Sequence, residues 1–532
     1  MHPALALAVG AVTALPWLWP WATPPNPAVP GLLAAWVCTA LLWGMSVPAS
    51  AGTMTIASRG VPWRIGLVLI ALTLLAALRM SHLDLALLGG LVGSVVCVVL
   101  AAQCSRHAHL VFLRWLCWGL LSAAVVSVAI ASVQYSGLLH EPLPEWPWLH
   151  ASPKEEAYGQ LRQRNHFGSL MSLGLAAWFF MTQTGWPSQV GRWLAWPVLL
   201  VLILGASMSA SRTGALTWIG LSLLTLTWSP SPKLSSPQAR YGAWVALLGF
   251  VLLSNLLPLM ASALSTVALP KISVFDRLAA QPEGLGHCES RAVLWRHVLE
   301  LSFQRPWWGW GWGELDVAHA MQSVVGERFC VQLGHAHNLL LHVAVEWGWP
   351  LALLGLAALA RWVWRHPPWH ARTPTAFLGW SWLVVMGLHS SLEFPLWYGP
   401  FQLVLGLAIG LVMRPAPPLH KPVSSSAQPL THTLVTVWLA GTLWAAWDYH
   451  RVSQPFLAPA QRSPACRVQP MDCLDDVVWF HQGGDFAKLS LHRDVMPPAQ
   501  ARALAQRVVH FAPDPWVLSL IFSEPPLSSS NP

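Results

Sequence analysis

A few short stretches of this chain hold the residues that could do chemistry. Gly334-His335-Ala336-His337-Asn338 runs straight into an apolar stretch. An imidazole that titrates near neutrality is a natural base for a hydroxyl nucleophile. Asn338, His342 and Glu346 follow at i, i+4 and i+8, so one stripe of that helix is polar. Polar groups on an apolar helix face a protein interior or a wet cavity. His337 therefore reads as a general base at the mouth of such a cavity, and His342 as one rung of an inter-helix hydrogen-bond ladder. Ser209-Ala210-Ser211-Arg212-Thr213-Gly214 puts an arginine among small residues. Its planar fork of donors suits phosphate oxygens, and small neighbours let a phosphate reach guanidinium and backbone together. The alternative is an arginine that snorkels at a membrane boundary. Arg291 and Trp295 share a face at i, i+4 of a predicted surface helix, where a solvated arginine and a functional one both fit. His389 and Glu393 stand one turn apart, placed to orient His337 or a sugar, or merely to tie helices together. Gln163-Arg164-Asn165-His166 precedes another apolar stretch, with Asn165 as candidate helix cap.

A metal reading has little support. His335, His337, His342 and Glu346 could be drawn as ligands, but their spacing fits no zinc pattern and H-E-x-x-H is absent. The glycine patterns for nucleotides and the G-x-S-x-G elbow are also missing, which removes the usual warrant for nucleotide binding or serine hydrolysis.

The elements that must position these residues are membrane helices. Of the 532 residues 55% are hydrophobic and 10% charged, whereas a soluble domain carries about 25% charged residues. About thirteen stretches approach the roughly 20 apolar residues of a transmembrane helix. They are 4–21, 30–49, 62–80, 83–102, 110–136, 166–184, 193–210, 213–228, 241–260, 338–363, 376–393, 397–413 and 431–449. The expected fold is an all-α polytopic membrane protein with one large loop between the ninth and tenth spans and a small tail. No cleavable signal peptide is expected, since a basic n-region is lacking. The segments are 1–137 (N-terminal hairpins), 138–269 (spans carrying the Gln-Arg-Asn-His and Ser-Arg motifs), 270–337 (catalytic loop), 338–449 (C-terminal helices) and 450–532 (tail). In the tail an amphipathic helix is predicted near 498–511, ahead of a Pro/Ser-rich end.

Basic residues set the orientation. With the N-terminus in the cytoplasm, inner loops hold Arg59, Arg106, Arg192, Arg240, Arg365 and Arg414 among others, and the outer side holds few. The loop 270–337 and the tail then lie outside, which in a bacterium is the periplasm. The net charge of +8 thus serves topology and does not call for nucleic acid. The periplasm is oxidising, so the outward cysteines are expected to pair as Cys288–Cys330 and Cys466–Cys473, while Cys38, Cys97, Cys104 and Cys117 stay free. Most of the 35 tryptophans, Trp17, Trp19, Trp21 and Trp364 included, suit interfacial belts. The run Trp307 to Trp312 lies in a polar loop and reads either as sugar-stacking surface or as loop packing.

Together these motifs resemble the bacterial O-antigen ligase and O-oligosaccharyltransferase superfamily, over about residues 140–413. Ser211-Arg212 is similar to the family's phosphate arginine, Arg291 to its loop arginine, and His337-Asn338 with the downstream Gly348 to its His-Asn signature. Leu351 stands where the family often has Gly, Thr or Tyr. Gln163 to Phe167 and His389 to Tyr398 resemble the protein-glycosylating branch, whose acceptors are pilins and other periplasmic proteins. The resemblance implies inverting transfer of a glycan from undecaprenyl pyrophosphate, with no cofactor and no metal. The acceptor would be a periplasmic protein or, alternatively, lipid A core. His337 would be the catalytic base. Arg212, Arg291, Asn338, Arg164, Asn165, His166, His389 and Glu393 would hold substrate. The enzyme would sit in the bacterial inner membrane with its site facing the periplasm. A polytopic transporter should instead show paired repeats and broken helices at the midplane, and an intramembrane metalloprotease a ligand motif; the sequence offers neither.

Overall fold

The computed structural model describes residues 1–46, 74–78, 84–137, 147–149, 157–186, 189–227, 237–264, 272–279, 288–323, 325–414 and 428–522, with positions 71 and 152. Among these residues every regular element is an α-helix or a short 3-10 turn. Among the described residues four helices are long and apolar enough to cross a membrane: Val29–Ser46, Leu85–Arg106, Leu110–Tyr135 and Pro237–Ala261. Pro3–Trp17, Ala195–Met208 and Gly399–Val412 are shorter apolar helices. The chain is a multi-pass membrane protein. Most of the predicted span 62–80 lies outside the described residues.

The helices are α1 (Pro3–Ala14), α2 (Val29–Ser46), α3 (Leu85–His107), α4 (Leu110–Tyr135), α5 (Arg164–Thr184), α6 (Gln189–Trp193), α7 (Ala195–Met208), α8 (Arg212–Thr227), α9 (Pro237–Leu264) and α10 (Val274–Ala279). The remainder are α11 (Arg291–Gln304), α12 (Leu315–Met321), α13 (Leu339–Trp347), α14 (Trp349–Arg365), α15 (Pro374–Leu392), α16 (Gly399–Val412), α17 (Gln428–Ser453), α18 (His481–His492), α19 (Pro498–Val508) and α20 (Pro515–Phe522).

The axis of the bundle is α5, buried on every face from His166 to Met181. An all-round buried helix can carry Ser169, Ser172 and His166 because protein, not lipid, surrounds it. Helices α4, α7, α8 and α15 pack around it. Trp17 belongs to this core and not to an interfacial belt, since it is buried with its ring edge-on to Phe401 at 5.1 Å.

The predicted span 338–363 is broken. Gly348 has φ 89° and separates α13 from α14. The tryptophan-glycine run crosses at the break and bonds to it as backbone: Trp310 N–H to Val345 O (2.9 Å), Gly311 N–H to Glu346 O (3.0 Å) and Trp349 N–H to Pro306 O (2.8 Å). A Cβ on Gly309 or Gly348 would lie 2.3 or 2.4 Å from the opposing backbone, so only glycine fits either side. Short α13 therefore packs with α11 and α12 in a loop unit whose core includes Leu294, Val298, Leu301, Phe329 and Val345. The bridge Cys288–Cys330 closes this unit.

The tail contains more helix than its sequence suggests. Besides α19, where an amphipathic helix is expected, α18 and α20 fold around Leu489, Leu504, Val508 and Val517. Cys466–Cys473 pins its start, and the four remaining cysteines are free and buried. His510 of this unit meets Glu314 of the loop unit at 2.8 Å.

Candidate active site

The site is organised by one carboxylate. Glu393 follows the last turn of α15, its N–H bonded to His389 O at 2.8 Å, and its side chain is 2% exposed. It accepts from Asn165 Nδ2 (2.8 Å), from Gln163 Nε2 (3.4 Å) and from Arg291, and it pairs with His337 Nδ1 at 2.7 Å. Three separate parts of the chain thus converge on a buried anion that no water could easily serve. Unpaired, such a charge would cost several kcal/mol.

Local packing explains how the partners arrive. Helices α5 and α8 cross at Gly168 and Gly214, where a Cβ on Gly168 would sit 2.9 Å from the Cα of Gly214. That closeness brings Ser211 Oγ to Asn165 Oδ1 at 2.7 Å, while the same oxygen accepts Gly214 N–H at 2.8 Å and caps α8. Asn165 is therefore not the cap of α5; it lies inside the first turn and spends its amide on Glu393 and Ser211. On the other side, Ser290 caps α11 and sets Arg291 as its first residue.

Three described non-glycine residues have left-handed backbone: Arg162 (φ 54°), Ala210 (φ 43°) and His337 (φ 49°). Each lies on a segment that feeds this site. Such conformations are uncommon for non-glycine residues and gather at functional sites.

His337 is 21% exposed and Arg291 39%, so both emerge from the buried anion towards solvent. They line an open pocket of about 320 Å³ with Glu289, Gly334, His335 and Phe394, large enough for a small ligand or one sugar ring. An ionised Glu393 can only accept, so the proton at the His337–Glu393 contact sits on Nδ1 and the lone pair on Nε2. In that tautomer Nε2 is able to accept a proton.

Most of the other candidates lie outside the pocket lining. His166 and His389 do not touch the pocket: both are fully buried, their rings 5.4 Å apart, wedged by Tyr398 and Phe401. They are interior to the bundle because α5 and α15 are. Asn338 accepts Leu341 N–H at 3.1 Å and donates to Ser391 O at 3.0 Å, so its amide joins α13 to α15 where a substrate contact was expected. Arg212 is exposed and its guanidinium donates to the carbonyl of Arg277 in α10. Arg164, half-buried, opens α5. His342 pairs with Glu346 at 3.5 Å, and Glu346 accepts the N–H groups of Gly313 and Leu315, so the polar stripe ties α13 to α12. His335, also on the pocket wall, is half-buried and packs its ring on Phe394 and Trp397, and desolvation holds its imidazole well below the usual histidine range. Of the tryptophan run, Trp310 is held by Arg305 over its face and by Leu301 O, and Trp312 packs on Trp347; Trp307 and Trp308 stay exposed. Gln163 and Ser211 are contacts of the Glu393 cluster that residue types alone did not single out. Their only signal was adjacency to Asn165 and Arg212.

Residues 197–356 match the family model described as O-antigen ligase, and residues 377–523 match the one described as virulence factor membrane-bound polymerase, C-terminal. Ser211, Arg291 and His337 fall in the first and Glu393 in the second. The chain is also similar to a general O-oligosaccharyltransferase of Acinetobacter baylyi, with 23% identity over 347 residues, 63% of this chain. The match spans just over half, 56%, of that relative.

Proposed function

We propose that the chain, similar to the O-antigen ligase family over residues 197–356 and to a general O-oligosaccharyltransferase, is a member of that superfamily and moves an oligosaccharide from undecaprenyl pyrophosphate to a Ser or Thr hydroxyl of a periplasmic protein such as a pilin. The observation that carries the reading is the His337–Glu393 dyad at 2.7 Å beside a pocket that Arg291 also lines. His337 Nε2 takes the acceptor hydroxyl proton. The freed oxygen bonds to the anomeric carbon as the bond from that carbon to the pyrophosphate oxygen breaks. The pyrophosphate leaves with the electron pair, and the anomeric centre inverts. Negative charge grows on the leaving group, where fixed guanidinium donors act most strongly. Arg291, which lines the pocket, would serve this role, and Arg212 would meet the lipid phosphate from the α8 side. Glu393 keeps the imidazole in the useful tautomer and stabilises the imidazolium that forms. The pyrophosphate is already an activated leaving group, so no metal enters the scheme.

The test uses purified chain in detergent with undecaprenyl-diphosphate oligosaccharide, a pilin-like acceptor, lipid A core and excess chelator. A glycosylated protein acceptor is the expected product. Product on lipid A core alone would reassign the enzyme to O-antigen ligation. Transfer to neither would refute the reading, and transfer that needs a divalent metal would refute the chemistry given to His337.

A further inference from the structure

One segment, Gly159 to Asn165, faces two ways. Asn165 and Gln163 reach Glu393. Just before Gln163, Arg162 donates to Pro20 O at 3.2 Å, and two residues before that, Gln160 donates to the carbonyl of Trp148. What these last two bonds hold is an aromatic shelf. Trp21 stands edge-on to Trp19 at 4.9 Å and to Trp148 at 5.9 Å. Trp21 is 50% exposed and Trp148 42%, while Trp17, Trp178, Trp218 and Trp382 are wholly buried. The turn beyond Trp21 is fixed as well, because Tyr449 in α17 donates to Thr23 O (2.9 Å) and Asn26 O (2.6 Å) and accepts from Asn26 N–H (2.8 Å).

We propose that Trp21 and Trp148, with the guanidinium of Arg162, form a glycan subsite that receives sugar rings of the donor oligosaccharide beyond the ring that reacts. The proposal rests on the reading that the Glu393 site handles a glycan-bearing substrate. A pyranose has a flat C–H face and a rim of hydroxyls. The face suits an indole, and the rim suits a planar guanidinium with donors to spare. An interfacial belt needs neither the arginine nor the pinning, since tryptophan settles at a headgroup level on its own. Here two rings from distant segments are locked edge to face. The arginine that anchors one of them has a left-handed backbone at φ 54°. The same short segment continues into the Glu393 cluster. Rigid placement of this kind is what a binding surface requires.

The test separates binding from transfer. The probe is the free oligosaccharide released from the donor lipid, with no pyrophosphate and no acceptor present, titrated into detergent-solubilised full-length chain. Saturation-transfer NMR should detect binding in the wild type. Trp21→Ala and Trp148→Ala should each weaken it by about tenfold, and Trp364→Ala, an exposed ring on α14, should not. On the wild type, hydroxyl-radical footprinting should show the oligosaccharide protecting Trp21 and Trp148 but not Trp307; this arm stands even if a tryptophan variant fails to fold. No binding by the wild type, or equal binding by both Ala variants, overturns the subsite. So does protection of the two rings by nanodisc lipid in the absence of glycan, which would make them a belt. Binding with the expected protection, but no transfer to any acceptor, would leave the subsite standing and sink the transferase reading instead.

Discussion

Glu393 decides what His337 can do. Its two oxygens are shared between Asn165, Gln163, Arg291 and His337, so the carboxylate cannot wander and the imidazole cannot flip. Glu393→Gln keeps the shape but offers an amide N–H that can leave the wrong histidine nitrogen protonated. Transfer in that variant should fall by on the order of 10²–10⁴-fold, with the protein still accumulating in the membrane; wild-type turnover would remove Glu393 from the mechanism. His337→Ala should fall at least as far. Arg212→Lys keeps the charge but loses the fork, so donor-lipid affinity should drop; unchanged donor binding even in Arg212→Ala would mean that this exposed arginine only ties α8 to α10. At this scale the sequence singles out His337 as the candidate base, and the structure sets its imidazole against Glu393. The sequence does not expose Glu393 as the centre. Residue types and i, i+4 spacing report neighbours on one helix, and Asn165 lies 228 positions from Glu393. The same blindness misplaces His166 and His389, which are polar in type yet wholly buried.

Helices set the distances that the residues need. The crossing of α5 and α8 at Gly168 and Gly214 leaves no room for a side chain. Gly168→Leu should force the helices apart, break the Ser211–Asn165 bond and release Glu393. The expected result is a destabilised bundle that has lost transfer disproportionately to its loss of folded protein; full transfer would show that the crossing can open harmlessly. Hydropathy reveals apolar length but not continuity, which is why α13 and α14 look like one span. The break at Gly348 is caused by backbone from residues 306–311, and no local pattern announces it. The loop unit also carries a pH signature. His297 is pushed down to about 4 by burial, with His319, Arg328 and Arg296 adding to the shift, and His319 is lowered by burial too. An unfolded histidine titrates near 6.5. The unfolded loop therefore takes up protons first, so the stability these groups contribute is present above about pH 6.5 and lost as pH falls towards 4. Hydrogen exchange across residues 291–330 should quicken between pH 7 and 5 while α5 stays protected. Equal rates at the two values, after correction for intrinsic exchange, would contradict it.

At the level of the whole molecule, the site lies where three bodies meet: the bundle supplies Asn165 and Glu393, the loop unit supplies Arg291 and His337, and the tail props the loop unit through His510 and Glu314. The tail's short helices α18 (12 residues) and α20 (8 residues) were illegible because helices of about two or three turns without long apolar faces resemble ordinary linker. The cysteine partition was legible because it depends on compartment and not on packing. Its bridge Cys288–Cys330 spans 42 positions and clamps both ends of the loop unit, with Arg291 just after one cysteine and His337 soon after the other. By chain entropy a closure of that length constrains the unfolded loop by about 4 kcal/mol. The double variant Cys288→Ser/Cys330→Ser should leave the bundle folded, since none of the bundle core depends on the bridge, yet let Arg291 and His337 drift relative to Glu393. Transfer should drop steeply, and hydrogen exchange should rise in α11 and α13 but not in α5. Non-reducing peptide mapping of the native protein supplies the independent check. A Cys288–Cys330 peptide pair is expected; alkylation of both thiols without reductant would mean that the loop faces a reducing compartment, and the periplasmic orientation proposed for the site would fall with the bridge.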